Sequence, residues 1–359
     1  MKICLFTSSL NRGGAERVFV NLSNHWLEQG HEVDFVVLTP EGGFREELKA
    51  GVNIINLGES CGKMPARIVF IRAFAAYLKG RSPDQVFATL TYVTITALWA
   101  SKLSGYQGRL IVRQANSLVN QSEQTFGVKL WNWFGYHLCY RWADTILVNS
   151  RNSEEEMLRL LPIVAEKVKL IHNPVAAPSI SGSTSLKGRD DRSVVLYCGR
   201  FSKQKDVPTL IRAFALVCKK RDCELWLVGD GPERAVVEST VRELGLEDRV
   251  VFHGYVNNPA DYYSSADLFV LPSKWEGFPN VLVEALNAGT ASIATDCAGG
   301  SREILEPILP NNVVPVGDVN SLADRMTANL ENLPPAHGLI ENMQERFSLS
   351  VIAERYLLA

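Results

Sequence analysis

No charge of one sign dominates this sequence. Its 37 Lys and Arg face 39 Asp and Glu, a formal net charge of -2, so there is no whole-chain footprint for nucleic acid. Cysteine is sparse and unpatterned: the seven residues are odd in number and no Cys-x-x-Cys pair occurs, which excludes a disulfide framework or zinc spacing and points to reduced intracellular thiols. Long apolar runs are missing. The longest uncharged stretch, Gln85 to Ser101, carries four threonines and falls short of the roughly 20 apolar residues of a spanning helix. The opening MKICLFTSSL meets Asn11-Arg12 at once, too short and too strand-like for a secretory signal. With 46% hydrophobic and 21% charged residues the composition excludes a disordered chain, and a cytoplasmic protein that does not span a membrane is expected.

What is present is an alternation. Short runs rich in β-branched and aromatic residues, KICLFTS, EVDFVVL, NIINL, QVFATL, RLIVRQ, TILVNS and KVKLI, are interleaved with segments of helical period. Strands with little charge between helices predict a parallel sheet covered on both faces. At roughly 150 residues per domain the 359 residues make two domains. The text breaks at NPVAAPSISGSTSLKGRDDR, dense in Pro, Gly and Ser, and the alternation restarts with SVVLYCG. The expected organisation is an α/β protein of two doubly wound Rossmann-like domains: residues 1–172, a linker at 173–192, a second domain at 193–335, and C-terminal helices at 336–359 that could pack back on the first domain. Ligands of such tandem domains bind in a crevice at the carboxyl ends of the strands.

Charge is unevenly divided. Residues 1–172 hold 19 basic and 15 acidic residues, the remainder 18 and 24. Ten cations between Lys49 and Lys129 face only Glu59, Asp84 and Glu123. Solvated helix faces explain this, as does an anionic surface such as lipid headgroups or a lipid diphosphate. A helix expected near Glu123 to Trp142 carries Trp131, Trp133, Phe134, Tyr136, Tyr140 and Trp142, with Lys129 and Arg141 at its edges. It reads either as a helix buried against the sheet or as an interfacial segment.

Four segments carry chemistry. Gly13-Gly14 after the first strand permit close approach of backbone amides to an anion. Val228 to Arg234 imitates a dinucleotide fingerprint but has Arg234 where the third glycine belongs, so a dehydrogenase is poorly supported. Arg200 and Lys205 in the loop after SVVLYCG suit a diphosphate, the guanidinium as a fork and the ammonium as a point charge. The most informative stretch runs from Pro272 to Leu286. There Glu276 precedes a helix opened by Pro279 and Glu284 lies in its second turn, with the helix-start amides near Phe278 to Val281 facing the same crevice. Two carboxylates for sugar hydroxyls and amides for a phosphate result.

The combination of GGAER at 13–17, GRFSKQKD at 199–206, VGDGPER at 228–234 and EGFPNVLVEAL at 276–286, with its E-x7-E spacing, resembles glycosyltransferase family 4, retaining enzymes of the GT-B fold. The resemblance implies that Arg200 and Lys205 hold the donor diphosphate, Glu284 the ribose hydroxyls and Glu276 the donor sugar. Gly277, Phe278, Pro279, Asn280, Val281 and Gly231 would line the donor, and Gly13, Gly14, Arg113 and Asn116 an acceptor or phosphate loop. Relatives carry a histidine after the fifth strand where this chain reads RQANS, so Arg113 or Asn116 would serve there, and His137 is no safe substitute. No Asp-x-Asp sequence occurs, in keeping with a metal-independent enzyme that needs no cofactor. The implied reaction moves a hexose or N-acetylhexosamine from a UDP-sugar to a lipid-linked saccharide at the inner membrane face in surface glycan assembly. The alternatives are a nucleotide-sugar epimerase of related fold and a non-catalytic glycan or lipid-diphosphate binding protein.

Overall fold

The computed structural model describes residues 1–58, 66–115, 132–176, 186 and 192–359. The chain divides into two compact units, Met1–Pro174 with Leu349–Ala359, and Val175–Ser348.

The first unit contains strands β1 (Lys2–Thr7), β2 (Glu32–Val37), β3 (Asn53–Asn56), β4 (Gln85–Thr89), β5 (Arg109–Gln114), β6 (Thr145–Val148) and β7 (Val168–Leu170). They form one sheet in the order β3-β2-β1-β4-β5-β6-β7, every pair parallel. Its helices are α1 (Gly14–Glu28), α2 (Ala66–Arg81), α3 (Thr91–Ser104) and α4 (Arg151–Leu160). The two-residue period of a strand sends Cys4 and Phe6 into the core on one face with Val36 and Ala88, and Ile3 and Leu5 into the core on the other with Phe35 and Phe87. Both faces are therefore dry, which is why β1 reads as a continuous apolar run. A buried Asp34 is tolerated because Tyr77, Arg81 and Asn53 all donate to it.

The second unit repeats the plan. Strands β8 (Ser193–Cys198), β9 (Cys223–Val228), β10 (Val250–Gly254), β11 (Leu268–Leu271), β12 (Ala291–Thr295) and β13 (Val313–Val314) are parallel in the order β10-β9-β8-β11-β12-β13. Its helices are α5 (Val207–Val217), α6 (Arg234–Glu243), α7 (Ala260–Ser265), α8 (Asn280–Asn287), α9 (Ser301–Leu305), α10 (Val319–Glu331) and α11 (Ala336–Phe347). The strand order reverses direction beside β8. Connections leaving β8 and β11 diverge there, and the gap between them is where an open α/β sheet presents its crevice.

The last helix, α12 (Leu349–Leu358), belongs to the first unit, whereas α11 stays with the second. Ile352 and Tyr356 enter the core beside Trp26 and Phe87, and Gln85 donates to the Leu357 carbonyl. Each such fully buried large side chain contributes about 1.5–3 kcal/mol. Of the C-terminal helices, only this one packs on the first unit. The stretch expected as the linker begins differently too, since Asn173 is buried and hydrogen-bonded inside the first unit. Most of the remaining linker lies outside the described residues.

Part of the basic excess is paired within the unit. Lys49 pairs with Glu28, Arg81 with Asp34 and Glu32, and Arg109 donates to the Ala359 carbonyl. The aromatic segment is not one regular helix. Residues 116–131, including Asn116, Lys129 and Trp131, lie outside the described residues; beyond them a π-turn at Gly135–Cys139 runs into a 3-10 turn at Tyr140–Trp142. Tyr136 and Tyr140 are buried, while Trp133 is 52% exposed with Phe134 and Leu138 beside it in the open. No helix among the described residues is long and apolar enough to cross a membrane.

Candidate active site

In the second unit four loops leave the carboxyl ends of neighbouring strands: 199–206 after β8, 229–233 after β9, 272–279 after β11 and 296–300 after β12. The β8 and β9 loops are laced together, with Phe201 N donating to Asp230 O at 2.9 Å and Glu233 N to Phe201 O at 3.0 Å. Gly231 is needed for this approach, because a Cβ there would stand 2.3 Å from the Phe201 carbonyl oxygen. The β8 and β11 loops are joined by Lys274 N donating to Gln204 O at 2.8 Å, and the β11 and β12 loops by Glu276 N donating to Ala298 O at 2.8 Å. Gly299, at φ +133°, lies so close that a Cβ would meet the Glu276 carbonyl oxygen at 2.5 Å.

This lacing brings Lys205 and Glu276 together. Lys205 Nζ is 2.6 Å from Glu276 Oε1, and the two side chains are only 18% and 7% exposed. Ser273 Oγ donates to the same oxygen at 2.5 Å, leaving Oε2 with only a long 3.5 Å approach from Gln204 Nε2. A carboxylate has about four acceptor positions, so Oε2 retains capacity for hydroxyl donors. Among the described residues the Lys205 ammonium bonds Glu276 alone, and two of its three protons remain for another acceptor. Arg200 is exposed in the same loop, its carbonyl accepting from the Tyr197 hydroxyl at 3.1 Å.

Glu284 sits in α8, where Tyr263 OH from α7 donates to its Oε2 at 3.0 Å. The buried Cys198 thiol at the end of β8 links the two halves: burial pushes it up to about 12, Glu284 adds to the rise and Lys205 opposes it. Both charges thus act on one strand end. Pro279 caps α8, so the chain enters the helix at Asn280 with the amides of its first turn directed along the helix axis toward the loop. Gly277 accepts from Gly300 N at 2.9 Å, and the Phe278 ring packs 5.4 Å from that of Phe347. The structure therefore gathers Lys205, Glu276 and Gly277–Val281 around the ends of β8, β11 and β12, with Arg200 and Gly231 on the adjoining rim.

Sequence reasoning missed Ser273, Gln204 and Tyr263, the residues that orient the two carboxylates. Ser273 stands three residues before Glu276, a spacing at which a hydroxyl reaches a side chain across a turn, and that signal was legible. Tyr263 carried none.

In the first unit Gly13 caps α1 in an extended conformation, as a tight strand-to-helix turn requires, and Gly14 opens the helix. Glu16 folds back over this turn, where a Cβ on Gly13 would lie 2.3 Å from its Oε2; burial raises its carboxyl and the nearby Arg113 opposes the rise. The expectation for Arg113 as a ligand-facing residue is not met. It is 2% exposed, donating to Tyr356 OH at 3.1 Å, Thr89 Oγ1 at 3.2 Å and Asn173 Oδ1 at 2.5 Å. A guanidinium with three of its five N–H donors committed in this way ties β5 to α12 and is closed off from solvent. Asn116 lies outside the described residues. His137 is exposed and stacked on Trp133 at 4.6 Å between ring centroids.

Known proteins resemble both halves of the chain. Residues 12–177 match the model for Glycosyltransferase Family 4 and residues 184–346 that for Glycosyl transferases group 1. The chain is a glycosyltransferase built of a family 4 domain and a group 1 domain. This glycosyltransferase is 28% identical over 340 residues to N-acetylgalactosamine-N,N'-diacetylbacillosaminyl-diphospho-undecaprenol 4-alpha-N-acetylgalactosaminyltransferase of Campylobacter jejuni, covering 92% of this chain and 90% of that protein. It is 29% identical to the lipopolysaccharide core biosynthesis glycosyltransferase LpsD of Rhizobium meliloti, covering 96% and 94%. Among solved structures, Anabaena HepE in complex with UDP and glucose superposes with a TM-score of 0.83 at 22% identity over 99% of this glycosyltransferase and 98% of HepE. At that identity the likeness speaks to the GT-B fold.

Proposed function

We propose that the enzyme transfers a hexose or N-acetylhexosamine from a UDP-sugar to a lipid-linked saccharide, with retention at the anomeric carbon and without a metal, on the cytoplasmic face of a membrane that it touches peripherally. The observation that carries this reading is the Lys205–Glu276–Ser273 cluster at the carboxyl ends of β8 and β11, with the Tyr263–Glu284 pair nearby. Arg200 and Lys205 neutralise the charge that develops on the leaving diphosphate, which is the costliest part of breaking the glycosidic bond. Glu276 accepts from donor-sugar hydroxyls through Oε2, Glu284 from the ribose, and the first-turn amides of α8 face the phosphate or the sugar. The acceptor hydroxyl attacks from the side the diphosphate leaves, and its proton passes to the departing phosphate oxygen. No glycosidase-like nucleophile is then needed, and configuration is retained.

The named substrate of the Campylobacter relative, a diphospho-undecaprenol saccharide, supports the acceptor class, and the UDP bound in HepE supports the donor class. Trp133, Phe134 and Leu138, flanked by Trp99 and Leu103 of α3 and by the exposed cations Lys102 and Arg141, support contact with anionic headgroups. Trp99 and Trp142 meet edge to face at 5.0 Å, joining α3 to the turn at Tyr140–Trp142.

The test is thermal unfolding against UDP, GDP and ADP with their common sugar conjugates, followed by incubation of the stabilising donor with membrane lipid. Ligands that bind only the native state raise the midpoint with occupancy. A shift with UDP and one UDP-sugar, and a labelled lipid product, are expected. No shift at millimolar nucleotide would overturn the donor assignment. An altered free sugar nucleotide formed without acceptor would identify an epimerase instead.

A further inference from the structure

We propose that Cys218 and Cys223 form a dithiol modification site that closes to a disulfide by exchange with a low-molecular-weight disulfide of the oxidised-glutathione class. This site lies outside the donor-binding loops and does not depend on the reading of them. Cys218 follows the last residue of α5 and Cys223 opens β9, and their Sγ atoms are 3.9 Å apart. The intervening turn is held compact by Lys220 N and Arg221 N, which donate to Val217 O at 2.9 and 3.0 Å. A disulfide is about 2.05 Å long, so closure requires rotation about side-chain bonds by less than the width of one atom.

Exposure assigns the order of events. Cys218 is partly exposed, whereas Cys223 is buried, as are Cys4, Cys139, Cys198 and Cys297. Among the described residues no other two thiols touch. The contact between the two thiols lowers that of Cys218 and raises that of Cys223; at Cys218 burial and the Asp222 carboxylate oppose the lowering, while the guanidinium groups of Arg249 and Arg192, both paired with Asp222, favour the thiolate. Cys218 is therefore the attacking group and Cys223 the resolving one. The Cys218 thiolate attacks one sulfur of the small disulfide, whose S–S bond breaks, and one glutathione leaves as thiolate and takes a proton. Cys223 then gives its proton to water and its sulfur attacks Cys218, expelling the second glutathione. Two protein thiols are oxidised and one glutathione disulfide is reduced to two thiols.

The test incubates the full chain, purified reduced, with oxidised glutathione, caps free thiols with an alkylating agent and reads intact mass and tryptic peptides. Lys219, Lys220 and Arg221 lie between the two cysteines, so the bridge survives digestion as two linked peptides. The wild-type chain is expected to lose the mass of two hydrogens and two titratable thiols. Cys223→Ala is expected to keep a glutathione adduct on Cys218, and Cys218→Ser to show neither adduct nor bridge. A wild-type chain that keeps both thiols, a lasting adduct on Cys218 with Cys223 alkylated, or a bridge between other cysteines would each overturn the proposal. The wild-type result stands even if the buried Cys223→Ala variant does not fold. UDP-induced stabilisation of the reduced protein tests the donor site separately.

Discussion

Replacing Lys205 by alanine separates the structural from the chemical use of its charge. The ammonium lies 2.6 Å from Glu276 Oε1, and the Glu276 side chain is 7% exposed, so the substitution removes the nearest cation from a buried carboxylate. Ser273 still donates to that carboxylate at 2.5 Å, so it is not left bare. The expected stability loss is about 1–3 kcal/mol, below the roughly 3–5 kcal/mol of a fully buried pair left without any donor. For a unit of this size each kcal/mol moves the transition by about 2–4 °C, giving a midpoint lower by roughly 2–12 °C. The catalytic loss is larger in relative terms. Withdrawing one preorganised charge from the leaving group costs on the order of 10²–10³-fold in kcat. The assay is transfer of labelled sugar to lipid acceptor at a temperature well below the variant's transition, beside circular dichroism of the same sample. Lys205→Arg retains the charge and should recover part of the rate. A folded Lys205→Ala enzyme with wild-type kcat would refute the assignment of Lys205 to the diphosphate, whatever its stability.

Three further outcomes are expected. Tyr263→Phe removes the 3.0 Å donor to Glu284, and the freed carboxylate should weaken UDP affinity by about 1 kcal/mol, roughly fivefold, in calorimetric titration with little change in midpoint. Arg113→Met removes the donor to Asn173, Thr89 and Tyr356, so it should lower stability by about 2–4 kcal/mol and expose α12 to proteolysis, while UDP affinity stays within about twofold of wild type. Burial alone would raise the Asp34 carboxyl, but the bonds from Arg81, Asn53 and Tyr77 hold it below its ordinary value. A carboxyl lowered in the folded state adds stability above its unfolded pKa of 3.8 and loses it as pH falls through the lowered value. Asp34→Asn should therefore cost about 1–3 kcal/mol near neutral pH and flatten the acid limb of the stability profile in chemical denaturation.

Local pattern determined most of the architecture. Apolar-rich strands at regular intervals, interleaved with helical periods, are enough to predict two doubly wound parallel sheets, because burial on both faces admits a polar residue within a strand only where it finds partners, as Asp34 and Arg113 do. The residues proposed for the donor site were legible for a related reason. Arg200, Lys205 and Glu276 lie in loops that follow strand ends and Glu284 in the helix after one, and in an open α/β sheet such loops gather at one edge. What the sequence could not express is which loops become neighbours. Lys205 and Glu276 meet because β11 pairs with β8 across an intervening β9–β10 excursion, and nothing in either segment encodes that pairing. The orienting groups depend on the same order: Tyr263 reaches Glu284 only through the packing of α7 on α8. Arg113 shows the converse. In sequence it is a cation at a strand end, the usual place for a ligand contact, but the return of α12 to the first unit brings Tyr356 against it and leaves it buried among acceptors. Periodicity records how much of a residue is buried, and only the tertiary arrangement decides beside what.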